Sequence, residues 1–516
     1  MFSYLLPVRP ATPTPPAIVG PPPPAPPPSF DLLGRSFLYS PGARFTGLLG
    51  PDFFQNIADQ HHVHFGNRHQ DTFNAPVTLW AWLSQVLSPG KACTAAVTRV
   101  LDLHCNLNRP LCSANNGAYC KARAKLPTAF VSDLTTQLGQ KIASQAPESW
   151  QWRGHGVKMA DGSVVLLQDT KENLAEYPQQ RSQKRGTSFT CLRLVLLFCL
   201  ATGVVRGMEQ GAFRGAGTGE MSLLMKMLGQ VVENEILLGD RYYCSYSLLA
   251  LLRQRVAHGC FRLSRSRQQR FEQGEKLGED DYLQTWSRPD ERPQWLSKED
   301  WDALPRELRV RVLRVPVHQR GFRSRAVFIG TTLLDPRLYP KEEIGKLYFS
   351  RWSAELDIRS LKQTLGMKML SCKTPEMVRT ELWMHLLGYN LARCVLAEAA
   401  WRKGLLPRQL SFSGAVQTLD AFRSSLSSAE SSSVRTEAVL TAVATHRVGN
   451  RPDRYEPREI KHRQRKYPEL RKSRQERRQE LASAEGREGD NDGGGSGCGG
   501  AREKGRGRNR PSGRQR

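Results

Sequence analysis

Apolar residues recur at helical spacing between residues 50 and 147. TLWAWLSQVLS (78–88) keeps that spacing and stops before Pro89-Gly90, and KACTAAVTRVLDLH (91–104), NNGAYCKARAKLP (115–127) and LTTQLGQKIAS (135–145) follow. The pattern predicts a compact helical domain over 50–147, a possible DNA-binding module, after a proline-rich tail and lead-in at 1–49. Near residue 150 the period changes. VKMADGSVVLLQDT (157–170) reads as strand, tight turn, strand, with Asp161-Gly162 at the turn. RLVLLFCLATGVVRGMEQG (193–211) repeats strand, turn, strand, and GTGEMSLLMKMLGQVV (217–232) reads as a helix. NEILLGDRYYCSYSLLALLRQR (234–255) reads as a buried strand, an acidic strand end and a helix. The order ββ, α, β, α predicts an α/β fold over 148–259.

From 260 to 335 the alternation shortens. FRLSRS, DYLQTWS, LRVRVLRVPV and SRAVFIGTTLLD read as short strands, and Trp286, Trp295 and Trp301 fall among them. This predicts a β-rich insertion. Helical spacing returns over 336–423, through 341–361, TPEMVRTELWMHLLGYNLARCVLAEAAWRKG (374–404) and SFSGAVQTLDAFRSS (411–425). Residues 424–516 read as a serine-rich break, a basic linker and a glycine- and arginine-rich tail that composition makes disordered.

Charge narrows the function. The 516 residues carry 75 basic and 49 acidic side chains, a net +26, which points to nucleic acid as partner. A basic scaffold or membrane-surface protein is the bland alternative. Eleven scattered cysteines without a CxxC pair argue for a reducing compartment and against a zinc framework. The histidines of HHVHF (61–65) read as a polar surface turn. MFSYLLPVRP is too short and too soon broken by proline for a signal peptide. The most apolar run, 192–208, carries Arg193 and Arg206, so no membrane span is expected. These features predict a soluble, intracellular protein with no membrane partner. The proline tract at 8–28 predicts an extended, solvated tail.

Three carboxylates stand out. Asp161 and Asp240 fall at predicted strand ends, where open α/β sheets collect ligands. Glu355 lies in YFSRWSAELDIRSLK (348–362). At about 100° per residue, Tyr348, Arg351, Glu355 and Lys362 share one stripe of a helix. Leu347, Trp352, Ile358 and Leu361 would anchor that helix from an adjacent face. The stripe has two readings. It is an ordinary ion-pair face, or Glu355 joins Asp161 and Asp240 in holding divalent metal while Tyr348, Arg351 and Lys362 contact DNA phosphates. A lone Asp-Gly is more often only a turn, and an aspartate before Arg-Tyr-Tyr more often only a helix cap.

These residues resemble the signature of the IS4 family of DDE transposases: Tyr, two residues, Arg, three residues, Glu, six residues, Lys. Tyr348, Arg351, Glu355 and Lys362 meet it without departure. The resemblance extends through TLWAWLSQVLSPGKACTAAV, GAYCKARAKLP, ADGSVVLLQDT, LLGDRYYCSY and LGYNLAR, over roughly residues 65–400. It implies a ribonuclease-H-like catalytic domain with a β-rich insertion between the second aspartate and the glutamate. Carried over by motif, Asp161, Asp240 and Glu355 are the catalytic metal ligands. The implied cofactor is Mg²⁺, with Mn²⁺ an alternative, as two ions. The implied partners are double-stranded DNA with terminal inverted repeats, target DNA, and a second copy of the chain in a homodimer assembled on DNA. Family members cut element ends by water attack and join the freed 3′ hydroxyl to target DNA. Some pass through a hairpin in which an insertion-domain tryptophan holds a flipped base. The implied setting is the bacterial cytoplasm, on the nucleoid. A stand-alone nuclease of the same fold, and a noncatalytic DNA-binding protein, are the alternatives.

Overall fold

The computed structural model describes residues 26–66, 68, 70–179, 190–317, 325–428, 433–449, 472–473, 475–480 and 483. The proline tract up to residue 25 and most of the tail beyond 449 lie outside the described residues. The chain forms two compact units, Met1–Gln180 with Phe189–Lys461, and Arg181–Ser188 with His462–Arg516. The second is described only near 472–483, where 475–480 is helical.

The first unit opens with α1 (Asp31–Ser36), α2 (Pro51–Gln60), α3 (Ala75–Leu87), α4 (Cys93–Asn106), α5 (Gly117–Arg123) and α6 (Thr128–Ser144). The alternating segment then forms β1 (Val157–Leu166), α7 (Lys171–Glu176), β2 (Cys191–Cys199), β3 (Val205–Ala212), α8 (Glu220–Met227), β4 (Ile236–Gly239), α9 (Tyr246–Gln254) and β5 (His258–Arg262). Next come α10 (Arg265–Gln268), β6 (Glu275–Gly278), β7 (Asp281–Ser287), α11 (Lys298–Ala303), β8 (Glu307–Pro316) and β9 (Ala326–Thr331). The chain continues through α12 (Lys341–Ser350), α13 (Trp352–Arg359), α14 (Pro375–Arg402), α15 (Phe412–Ala421), α16 (Arg423–Ser427) and α17 (Ser433–Thr445).

Among the described residues, nine strands join one sheet in the order β3-β2-β1-β4-β5-β9-β8-β7-β6. β1 to β3 are antiparallel neighbours, and β4 and β5 run parallel to β1. This is the ribonuclease-H-like arrangement that the resemblance implies. The β-rich segment continues the sheet rather than forming a separate layer, because β9 pairs antiparallel with β5 and β8, β7 and β6 follow.

Both faces of the central strands are buried, as in sheets covered by helices. Leu194, Leu196 and Phe198 of β2 face one core with α3, α6 and α14. Val195 and Leu197 face a second core with α8 and α9. The first core joins the N-terminal helices to the sheet and to α14, whose residues are buried almost all round. Asn390 of α14 fastens that layer: its side chain accepts from the Val205 amide and donates to the Val205 and Thr135 carbonyls. Among the described residues, no helix is long and apolar enough to cross a membrane.

Three local expectations differ from the structure. Asp161-Gly162 is not a turn: β1 runs unbroken, and β2 pairs it from Lys158↔Cys199 to Leu166↔Cys191. A two-residue hairpin needs left-handed backbone, and neither residue has positive φ. The helix through the signature is also not continuous. α12 stops at Ser350, α13 starts at Trp352, and a π-helical turn covers Ser360–Thr364. Trp352 therefore does not anchor it: Trp352 is exposed, while Leu347, Ile358 and Leu361 are buried. Finally, α17 fills a stretch with no predicted element, and its Val439, Leu440 and Val443 pack into the first core.

Candidate active site

β1 and β4 are parallel neighbours only as far as Met159↔Leu238. β4 ends at Gly239 and the chain turns away at Asp240, while β1 runs on through Asp161. The two aspartates thus stand where parallel strands part at their carboxyl ends, the place where such sheets bind ligands. Each is held locally. Asp161 Oδ1 accepts from the Gly162 amide at 2.9 Å. Asp240 Oδ1 accepts from the Tyr242 amide at 2.8 Å and caps the short turn Arg241–Tyr243.

Glu355 comes from α13, which packs against β1. The helix is oriented by its next turn. Asp357, fully buried, receives Arg393 Nη2 at 2.5 Å and Arg408 Nη1 at 2.8 Å. With Asp357 turned into the core, Glu355 lies on the more open side of α13. Arg351, at the break between α12 and α13, donates from Nη2 to Glu355 Oε1 at 2.8 Å. Tyr348 is buried beside Arg351, and burial pushes its hydroxyl up to about 12. Lys362 sits in the π turn. That end of the segment is pinned to β1 by a Leu166 amide bond to the Lys368 carbonyl and a Leu370 amide bond to the Leu166 carbonyl.

Electrostatics draws these groups together around Asp161. Burial pushes its carboxyl up to about 6, and the charges of Glu355 and Asp240 push the same way against Arg351. Burial lowers the Lys362 ammonium, helped by Lys368 and opposed by Asp161. Burial works against charge on Arg351 too, but Glu355, Tyr348 and Asp161 hold it charged. Asp161 therefore senses Asp240, Glu355, Arg351 and Lys362 at once, although these groups come from distant parts of the chain. An all-oxygen donor set of carboxylates suits hard divalent cations. Among the described residues, no group of three or more histidine, cysteine, aspartate or glutamate side chains stands close enough to hold a metal ion. Glu355 is instead engaged by Arg351.

A family model described as "Transposase DDE domain" matches residues 152–391. Residues 152–391 are thus similar to a transposase DDE domain. The transposase InsG for insertion sequence element IS4 of Escherichia coli (strain K12) is 28% identical over 338 residues, 65% of this chain and 73% of that one. A piggyBac transposase, in a cryo-EM synaptic complex with hairpin DNA, overlaps with a TM-score of 0.38 at 10% identity, over 84% of this chain and 86% of that chain.

The matched stretch begins just before β1 and ends within α14, so it contains both aspartates, the glutamate and Arg351. Its three insertion tryptophans are packing residues in this structure. Trp286 and Trp301 are buried in the second core and Trp295 packs against it. The Arg267 guanidinium lies 3.5 Å from the Trp286 ring centroid. Three residues of the DDE domain escaped sequence reasoning. Asp357 is two residues from Glu355, but only its buried arginines reveal its part. Glu220 and Tyr243 border the aspartates, and nothing in GTGEMS or DRYYCS marks them out.

Proposed function

We propose that this DDE transposase cuts DNA at the ends of a mobile element and joins the freed 3′ ends to target DNA. The carrying observation is the convergence of Asp240, Glu355, Arg351 and Lys362 on Asp161, at the parting of β1 and β4. Asp161, Asp240 and Glu355 are the residues that would hold the cation. Mg²⁺ or Mn²⁺, as two ions, would supply an activated water or 3′ hydroxyl and stabilise the leaving oxygen. Arg351 offers a planar fork and Lys362 a point charge to the phosphates of the bound strand. Tyr348, buried beside Arg351, aims that guanidinium. The net charge of +26 steers DNA to the domain and weakens its grip as salt rises.

The DNA partner is a duplex bearing terminal inverted repeats. The working assembly is a homodimer formed on it, in the bacterial cytoplasm on the nucleoid. The test is an end-cleavage and strand-transfer assay with purified protein, repeat-ended DNA and Mg²⁺. Cleavage followed by joining is expected, and Glu355→Ala should abolish both. Full-rate cleavage by Glu355→Ala would refute the site. Cleavage without joining would instead indicate a stand-alone nuclease of this fold.

A further inference from the structure

Away from the candidate active site, two sulfurs share one buried arginine among the N-terminal helices. Arg123 closes α5 and is 5% exposed. Its guanidinium lies 3.9 Å from the Trp82 ring centroid of α3. From there Nη1 donates to Cys93 Sγ at 3.4 Å and Nη2 donates to Cys372 Sγ at 3.3 Å. Burial works against charge on Arg123, but Tyr119, Cys372, Cys93 and Glu381 hold it charged. Two further donors meet the Cys93 sulfur. Gln85 Nε2 donates to it at 3.7 Å, and the Cys120 thiol is hydrogen-bonded to it.

The cysteines are not equivalent. Cys372 is buried, and burial raises its thiol, with Glu381 pushing the same way. Cys93, the first residue of α4, is half-buried, and Cys120 is exposed. Burial raises the Cys120 thiol and the Cys93 sulfur beside it adds to that. Cys120 therefore keeps its proton while Cys93 accepts. A cysteine that only fills space needs no donors around it. A sulfur that collects a guanidinium, an amide and a thiol, within reach of solvent, has the surroundings of a nucleophile. Among the described residues these thiols do not form a metal-holding group, which leaves redox chemistry.

We propose that Cys93 and Cys120 form a peroxide-sensitive pair, with Cys93 the sulfur attacked first and Cys120 the one that resolves it. Cys93 Sγ attacks one oxygen of hydrogen peroxide, the O–O bond breaks, and hydroxide leaves with the thiol proton as water. Cys93 is then a sulfenic acid. The Cys120 sulfur, already hydrogen-bonded to Cys93, attacks that sulfur. An S–S bond forms, the S–O bond breaks, and the Cys120 proton leaves with the hydroxyl as a second water. The two sulfurs together lose two electrons and the peroxide gains them. A dithiol reductant reverses the change through a mixed disulfide. The Arg123 fork is a positioning group, fixed on Trp82 and aimed at the sulfur that is oxidised. This inference stands apart from the reading of Asp161, Asp240 and Glu355.

The test is stepwise hydrogen peroxide on the reduced full-length protein, followed by thiol blocking and peptide mass spectrometry. A Cys93–Cys120 linked peptide, lighter by two hydrogens than its two reduced parts, should appear before the exposed Cys105 is oxidised, and dithiothreitol should remove it. In Cys120→Ser, dimedone should trap a sulfenic acid on Cys93. In Cys93→Ser, Cys120 should stay reduced at the same peroxide dose. Thermal melts of both variants verify that they are folded. Oxidation of Cys105 as early as Cys93, a disulfide between other cysteines, or no disulfide at all would overturn the pair. Oxidation of Cys120 in Cys93→Ser as readily as in the unsubstituted protein would overturn the assigned order of attack.

Discussion

Arg351 donates to Glu355 across one helical turn at 2.8 Å, so the signature glutamate is already partnered when no DNA is present. The side chains are 16% and 38% exposed. A pair that open contributes only about 0.3–1 kcal/mol to stability. Arg351→Ala is therefore expected to shift unfolding by less than about 1 kcal/mol while abolishing cleavage. Denaturant melts beside the end-cleavage assay check this. A collapse of stability together with activity would make the pair structural.

Asp161 has a pH signature. Its carboxyl titrates at about 6 in the folded protein against a usual 3.8, chiefly through burial. A raised carboxyl value means that the folded state binds the proton more tightly than the unfolded chain does. The stabilisation is fully present below about 3.8 and is lost as pH rises through about 6. At pH 7.5 without metal, the ionised group therefore costs stability. Asp161→Asn should be more stable there by at most about 3 kcal/mol, less for the part that water reaches. The gain should shrink toward zero as pH falls below about 4. Melting curves of both proteins across that range would show it, and a pH-independent difference would contradict it.

Asp357 is the anchor of α13. It is 1% exposed in its side chain and holds Arg393 and Arg408. Removing one member of a buried ionic group leaves uncompensated charge and costs about 3–5 kcal/mol. Asp357→Ala should lose about that much in denaturant unfolding, and Glu355 should lose its placement with it. A loss below about 1 kcal/mol would show that the arginines find other partners.

Gly139 marks the closest approach of α6 to the sheet. A Cβ there would lie 2.2 Å from the Val205 carbonyl oxygen and 3.0 Å from Asn390 Nδ2. The obstacle is backbone, which cannot swing aside. Gly139→Ala is expected to cost about 1–3 kcal/mol or more, despite the better helix propensity of alanine. An equal or raised melting temperature would show that α6 can slide on β3.

Much of the fold is legible in the sequence because its signals are local. The spacing in TLWAWLSQVLS produced α3, the β-branched run after Arg193 produced β2 and β3, and EILLGD produced a buried strand with an acidic end. Resemblance to a family signature, in residue type as well as spacing, singled out Tyr348, Arg351, Glu355 and Lys362. Asp161-Gly162 misled because the dipeptide is a turn signal only where no neighbouring strand claims it. β2 supplies partners across the whole of β1, and that pairing overrides the local preference. Trp352 misled because helical counting assumes an unbroken helix, and the helix breaks at Arg351.

The sequence by itself determined the kinds of element, the basic charge and the four signature types at their spacings, since each depends on residues close together along the chain. The tertiary structure decided what those residues face. The parting of β1 from β4 sets Asp161 and Asp240 at neighbouring strand ends, and the Asp357 anchor fixes α13, which carries Glu355. Gly162 shows the difference in one residue. Along the chain it reads as a turn, while in the fold it is bare backbone that lets Glu220 approach, because what a missing side chain makes room for comes from another part of the chain.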